Sequence, residues 1–265
     1  MHVNTLGIFT FIATFWAVGC SQEFASGGTV GDASVGGSSA VSNIPREGLQ
    51  LWLRADLGVT ATSGSVSTWA DQSGHNFDAT QSERESQPTQ VLGGIGTRAA
   101  IRFDGSDDFL SLPAGMSDFS QGLTVFSVLN QQASSWYNCI VEFSNGSEVN
   151  DISFAEYQDK FQYEVIEDVL TGPDINYNVA QLLTLVHRAD TTMITRSNGE
   201  LSNAAQFPLP ESITREQNFV GKSLYGGGSG VTYSGLMGEI LVYARGLSDN
   251  EVQTVEAELK QRWSL

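Results

Sequence analysis

The chain has 265 residues, long enough for one large β domain or two small ones with a proper buried core. Charged residues are 16%, hydrophobic residues 40%, and there are 28 glycines, a balance that suits strands and turns better than helices. The formal net charge of −17 repels phosphate backbones, which argues against nucleic acid as a partner, and it disfavours anionic polysaccharides unless a divalent cation intervenes.

Residues 1–20, MHVNTLGIFTFIATFWAVGC, carry an apolar run from Leu6 to Gly19 that is short for a membrane span and suits a signal-peptide core. The run ends in Ala17-Val18-Gly19-Cys20, which resembles a bacterial lipobox, although Ala17 stands where Leu is commonest and the preceding segment has no Lys or Arg. That resemblance implies acylation at Cys20 and a lipid-anchored, exported protein. Ser21 after the cysteine points to the outer membrane or cell surface. An ordinary secretory signal with an incidental cysteine is the alternative. Residues 21–45 contain eleven Gly or Ser and cannot build a core. They read as a flexible tether of about 25–30 Å reach.

Residues 46–265 read as the globular domain. Strand-like runs are predicted at Leu49–Arg54, Ser65–Trp69, Ala99–Phe103, Phe109–Leu112, Gly122–Leu129, Cys139–Phe143, Ile152–Tyr157 and Lys160–Ile166. Further runs follow at Gln181–Arg188, Thr191–Arg196, Glu200–Asn203, Asn218–Lys222 and Leu236–Tyr243, with Asn198-Gly199 as a hairpin turn. So many short strands without helices between them imply two packed antiparallel sheets. The last segment differs. Ser248 and Glu251 form a capping box, and Val252, Val255, Leu259 and Trp263 make one apolar stripe, so a helix is predicted over 249–262. Trp52, Trp69 and Trp263 are assigned to the core.

Four segments, GLQLWLRADLGV, VSTWADQSGHNFDATQ, AAIRFDGSDDFLSL and GEILVYARGLSDNEVQTVEAELKQRW, resemble in order the laminin-G-like branch of the concanavalin A-like lectin/glucanase superfamily. The resemblance implies an all-β jelly-roll sandwich of two antiparallel sheets with the C-terminal helix. It also implies binding or adhesion more often than catalysis, with a glycan or an envelope protein as partner.

Asp104, Asp107 and Asp108 in FDGSDDFL suit a tight turn; the alternative is calcium ligation, with Asp71 and Asp78 of a second acidic loop joining the same site. A glycosidase needs two carboxylates across its substrate. The hydrolases of the superfamily usually carry them on one strand, and no such pair is found: Glu164 and Glu167 are three apart and face opposite sides. A non-catalytic module is therefore expected, with a divergent hydrolase or lyase as one alternative and an adhesive envelope protein as the other. His187, in LTLVHRAD, reads as a packed strand residue. Glu216 stands where a phosphate loop before Gly221-Lys222-Ser223 would need glycine. Cys139 reads as a buried thiol. The aromatics off the core pattern, Trp136, Tyr137, Tyr177 and Tyr225, are the candidate ligand contacts.

Overall fold

The computed structural model describes residues 42–132, 137–165, 168–225 and 230–265, so Cys20, most of the segment expected to be a tether and Trp136 lie outside the described residues. Nineteen strands occur among the described residues. The first seven are β1 (Leu49–Arg54), β2 (Val59–Thr62), β3 (Ser65–Trp69), β4 (Ala79–Thr80), β5 (Thr89–Ile95), β6 (Arg98–Asp104) and β7 (Leu110–Leu112). Next come β8 (Gly122–Gln131), β9 (Tyr137–Ser144), β10 (Ile152–Tyr157), β11 (Lys160–Val165), β12 (Asp168–Asp174), β13 (Ala180–Arg188), β14 (Thr192–Ser197) and β15 (Glu200–Gln206). The chain closes with β16 (Gln217–Val220), β17 (Lys222–Ser223), β18 (Val231–Thr232), β19 (Ser234–Tyr243) and α1 (Asp249–Trp263).

The pairings between these strands are antiparallel; β17 and β18 pair with each other, and most of the rest fall into two ladders. One runs β15–β14–β13–β8–β19, and the far edge of β19 takes β6 along its first half and β1 along its second. The other runs β4–β7–β16–β9–β10–β11–β12. They are not separate sheets. β6 pairs with β5, β5 touches β3 at Ser65, and β3 pairs with β4, so the hydrogen-bonding is continuous through seventeen strands. The two packed antiparallel sheets expected from the sequence are thus joined through short β3.

One core draws on both ladders, including Phe126 and Leu185 from the first and Phe143, Phe154 and Tyr163 from the second. Trp52, Trp69 and Trp263 are all in it. His187 is buried in the same core, where its Nδ1 meets the Tyr163 hydroxyl at 3.2 Å and its Nε2 meets the Phe207 carbonyl at 2.9 Å. Burial holds its pKa below the ordinary value and so favours the uncharged ring.

The helix forms as its caps direct. The Ser248 side chain accepts from the Glu251 amide and the Glu251 carboxylate takes the Ser248 amide, while Val252, Val255, Leu259 and Trp263 are buried. Its end is locked to the sheet by Glu239 on β19. That fully buried carboxylate accepts from Trp52 Nε1 at 2.6 Å, Arg262 Nη1 at 2.5 Å and Trp263 Nε1 at 2.7 Å. None of the described helices is long and apolar enough to cross a membrane.

Candidate ligand-binding site

The second ladder has one face in the core and one turned outward. Alternation along β11 sends Phe161, Tyr163 and Val165 inward and leaves Lys160, Gln162 and Glu164 outside. β9 does the same with one irregularity. Its register against β10 steps from Cys139 to Val141, so Ile140 is an extra residue and both Ile140 and Val141 reach the core. The bulge keeps Tyr137 and Cys139 on the same outward face as Glu142 and Ser144. The cross-strand row Glu142, Ser153, Glu164 and Val169 results, and one register step away lies Cys139, Ala155, Gln162 and Thr171.

A groove of about 250 Å³ opens on this face, lined by Tyr137, Tyr157, Gln162, Glu164, Val169 and Tyr225. The rings of Tyr137 and Tyr225 stack, with centroids 5.8 Å apart and planes 16° apart. Tyr157 stands 6.5 Å from Tyr137. Beneath them Cys139 and Ala155 form a small apolar floor, separate from the main core. Burial holds the Cys139 thiol well above its ordinary pKa. The Ser153 hydroxyl meets the Tyr137 hydroxyl at 3.2 Å and donates to Glu164 Oε2 at 3.4 Å. Burial, reinforced by the charge of Asp151, pushes the Glu164 carboxyl up to about 7. Glu142 is buried, with Oε1 accepting from Ser144 Oγ and the Leu224 amide, both at 3.1 Å. Burial also raises its pKa.

Of the four aromatics chosen from the sequence, two thus meet in one groove. Tyr137 opens strand β9, two residues ahead of the predicted strand at Cys139–Phe143, and is largely buried. Tyr177 is elsewhere, its hydroxyl donating to Asp159 Oδ1 at 2.7 Å and its ring packed against the core. Trp136 is outside the described residues. Tyr157, Gln162 and Val169 escaped sequence reasoning, and Glu164 was weighed there only as half of a catalytic pair. Tyr157 and Gln162 lie on predicted strands, but only the register places them beside Tyr137.

The aspartates are arranged by backbone amides. Asp104 Oδ1 accepts from the amides of Ser106 at 2.8 Å and Asp107 at 3.3 Å, and Asp108 Oδ2 accepts from the Asp104 amide at 2.9 Å. One oxygen from each of these three lies within 4.8 Å of the others. Burial and the charges of Asp104 and Asp107 raise Asp108 to about 6. Asp71 and Asp78 are not part of that group. Asp71 takes four donors: the amides of Trp52, Ser73 and Phe77 and the Ser73 hydroxyl. Asp78 takes the Asp71 amide. They tie a loop to β1.

No family model matches this chain, and no curated protein does. Solved structures do. Domain 4 of the extracellular arabinanase AbnA of Geobacillus stearothermophilus, solved with arabinotriose, is 14% identical, with a TM-score of 0.59 over 79% of this chain and 98% of that one. The sialidase of Trypanosoma rangeli is 14% identical, with a TM-score of 0.56 over 83% of this chain and 33% of that one. The binding domain of botulinum neurotoxin DC, solved with rat synaptotagmin II, is 12% identical, with a TM-score of 0.55 over 81% of this chain and 52% of that one. The chain therefore spans about a third of the sialidase and about half of the toxin domain. At these identities the likeness is one of fold. It supports a mostly antiparallel β fold and identifies no laminin-G family.

Proposed function

We propose that this chain is a non-catalytic binding module that holds a glycan in the groove of Tyr137, Tyr157 and Tyr225. The carrying observation is the gathering of three tyrosine rings beside Gln162 and Glu164 on an open sheet face. Sugars lay their apolar C–H faces on such rings, and adjacent polar groups fix their orientation. The similar arabinanase domain was solved with a trisaccharide, which supports the reading without fixing the sugar. The same proposal takes the domain as a laminin-G-like jelly roll. It adds a lipid on Cys20 and a tether that display the domain at a bacterial outer membrane or cell surface.

A glycan array probed with the chain tests this, with and without calcium. Retention of a defined set of sugars supports it. Absence of any retained sugar turns the assignment toward a protein partner. Loss of binding in EDTA would add calcium on Asp104, Asp107 and Asp108, whose close oxygens suit a hard cation.

A second reading, a glycoside hydrolase, has one observation behind it. Glu142 and Glu164 stand on the same face two strands apart, a Cα separation of about 10 Å. Glu142 is buried and its Oε1 already accepts two bonds, and among the described residues Glu164 is the one carboxylate lining the groove. That favours binding over turnover. Reducing ends released from a polysaccharide panel by the parent chain, and not by Glu164→Gln, would reverse the preference.

A further inference from the structure

The described lining of the groove contains one carboxylate, Glu164, and no basic side chain. Further acids stand around it. Asp151 before β10, Glu142 on β9 and Glu148 between those strands all act on Glu164 with like charge. Asp151 is 5% exposed, and its Oδ1 is buried without a hydrogen-bond partner. The described cations near this face are committed elsewhere. Lys160, at the other end of β11, pairs with Asp174. Arg215 acts on Asp151 through space, but its N–H groups go to the carbonyls of Asn150, Met116, Ile213 and Glu211. Lys222 shows what an ammonium does here. Its Nζ lies 4.2 Å from the Phe109 ring centroid and 5.5 Å from that of Phe219, the residue opposite Glu142 on β16.

Aromatic rings beside an under-neutralised carboxylate favour an organic cation: the ring quadrupoles and Glu164 both attract positive charge, and the acids behind leave no counter-charge to lose. We propose that the groove selects an amino sugar, its charged nitrogen meeting Glu164 and its ring lying against the tyrosines. This rests on the glycan-binding reading above and deepens it. Sialic and uronic acids are disfavoured by the same charges, and by the net −17 of the whole chain.

The test is calorimetric titration of the chain with two glucosamine tetrasaccharides, one N-acetylated and neutral, one N-trimethylated and permanently cationic. At pH 8 the cationic oligomer is expected to bind at least tenfold more tightly. Its affinity should rise about tenfold from pH 6 to pH 8, as a carboxyl titrating at about 7 ionises, while that of the neutral oligomer stays flat. Glu164→Gln should erase the preference. Equal or tighter binding of the neutral oligomer by the parent chain at pH 8 overturns the amino-sugar inference and leaves glycan binding standing. If neither oligomer binds, the amino-sugar inference falls. If no neutral sugar of the array binds either, the glycan reading falls with it.

Discussion

Glu239 shows how much one buried carboxylate can organise. Two indole N–H groups and a guanidinium converge on it from β1 and from the last turn of α1. Glu239→Ala would leave all three donors unmatched in a dry place, so a loss of about 3–5 kcal/mol is expected from chemical denaturation. A loss under about 1 kcal/mol would mean that water replaces the carboxylate. The tryptophans were legible as core residues from their apolar settings; their shared acceptor was not, because Glu239 lies 187 residues from Trp52. Asp71 and Asp104 follow the same logic. Acidic loops read equally as metal sites or as turns, and only the positions of the amides show which hydrogen bonds the oxygens already accept.

Among the elements, α1 was the most readable, since its cap and its apolar stripe are local. Ser248→Ala is expected to cost about 0.5–2 kcal/mol, measured as a lowered denaturation midpoint. Arg245 would still hold Glu251, whose carboxyl its hydrogen bonds keep at about 2. Strands with plain alternation, such as β10 and β11, were also legible. β5 and β12 were not, because each carries a break of its own, Gly93-Gly94 in one and Gly172-Pro173 in the other. β12 tolerates Pro173 at an edge, where among the described strands only β11 pairs with it. Gly122 marks a position where only glycine fits. Its φ is +93°, and an added Cβ would lie 2.2 Å from the His187 carbonyl. Gly122→Ala should therefore unfold the chain at a clearly lower temperature than an alanine at exposed Gly74, where no atom lies within 4 Å.

For the whole molecule, charge sets the pH response. Burial raises Asp108 to about 6 and Glu164 to about 7, and it raises Glu142 and Asp151 as well. A carboxyl whose pKa is raised on folding binds its proton better in the folded state, so its contribution is present at low pH and lost as pH rises through the folded value. His187, lowered on folding, acts oppositely, its contribution being present above the unfolded value near 6.5 and lost as pH falls from there through the folded value. Four acids outweigh one imidazole, and the self-repulsion of a −17 chain adds to them. The denaturation midpoint should fall from pH 5 to pH 8 and recover partly in salt. A midpoint that rises over that range would show these acids to be ionised at little cost.

The candidate site lies at this scale too. The sequence singled out Tyr137 and Tyr225 as aromatics off the core pattern, but their meeting across 88 positions, and the joining of Tyr157 and Glu164, depends on register and on the bulge at Ile140. The most direct measurement is glycan binding by the parent chain beside Tyr225→Ala and Tyr177→Ala. Removing the groove ring should weaken binding tenfold or more, and removing Tyr177, outside the groove, should change it less than twofold. Equal losses from both, or a loss from Tyr177→Ala alone, would contradict the placement of the ligand on the outward face of β9–β11.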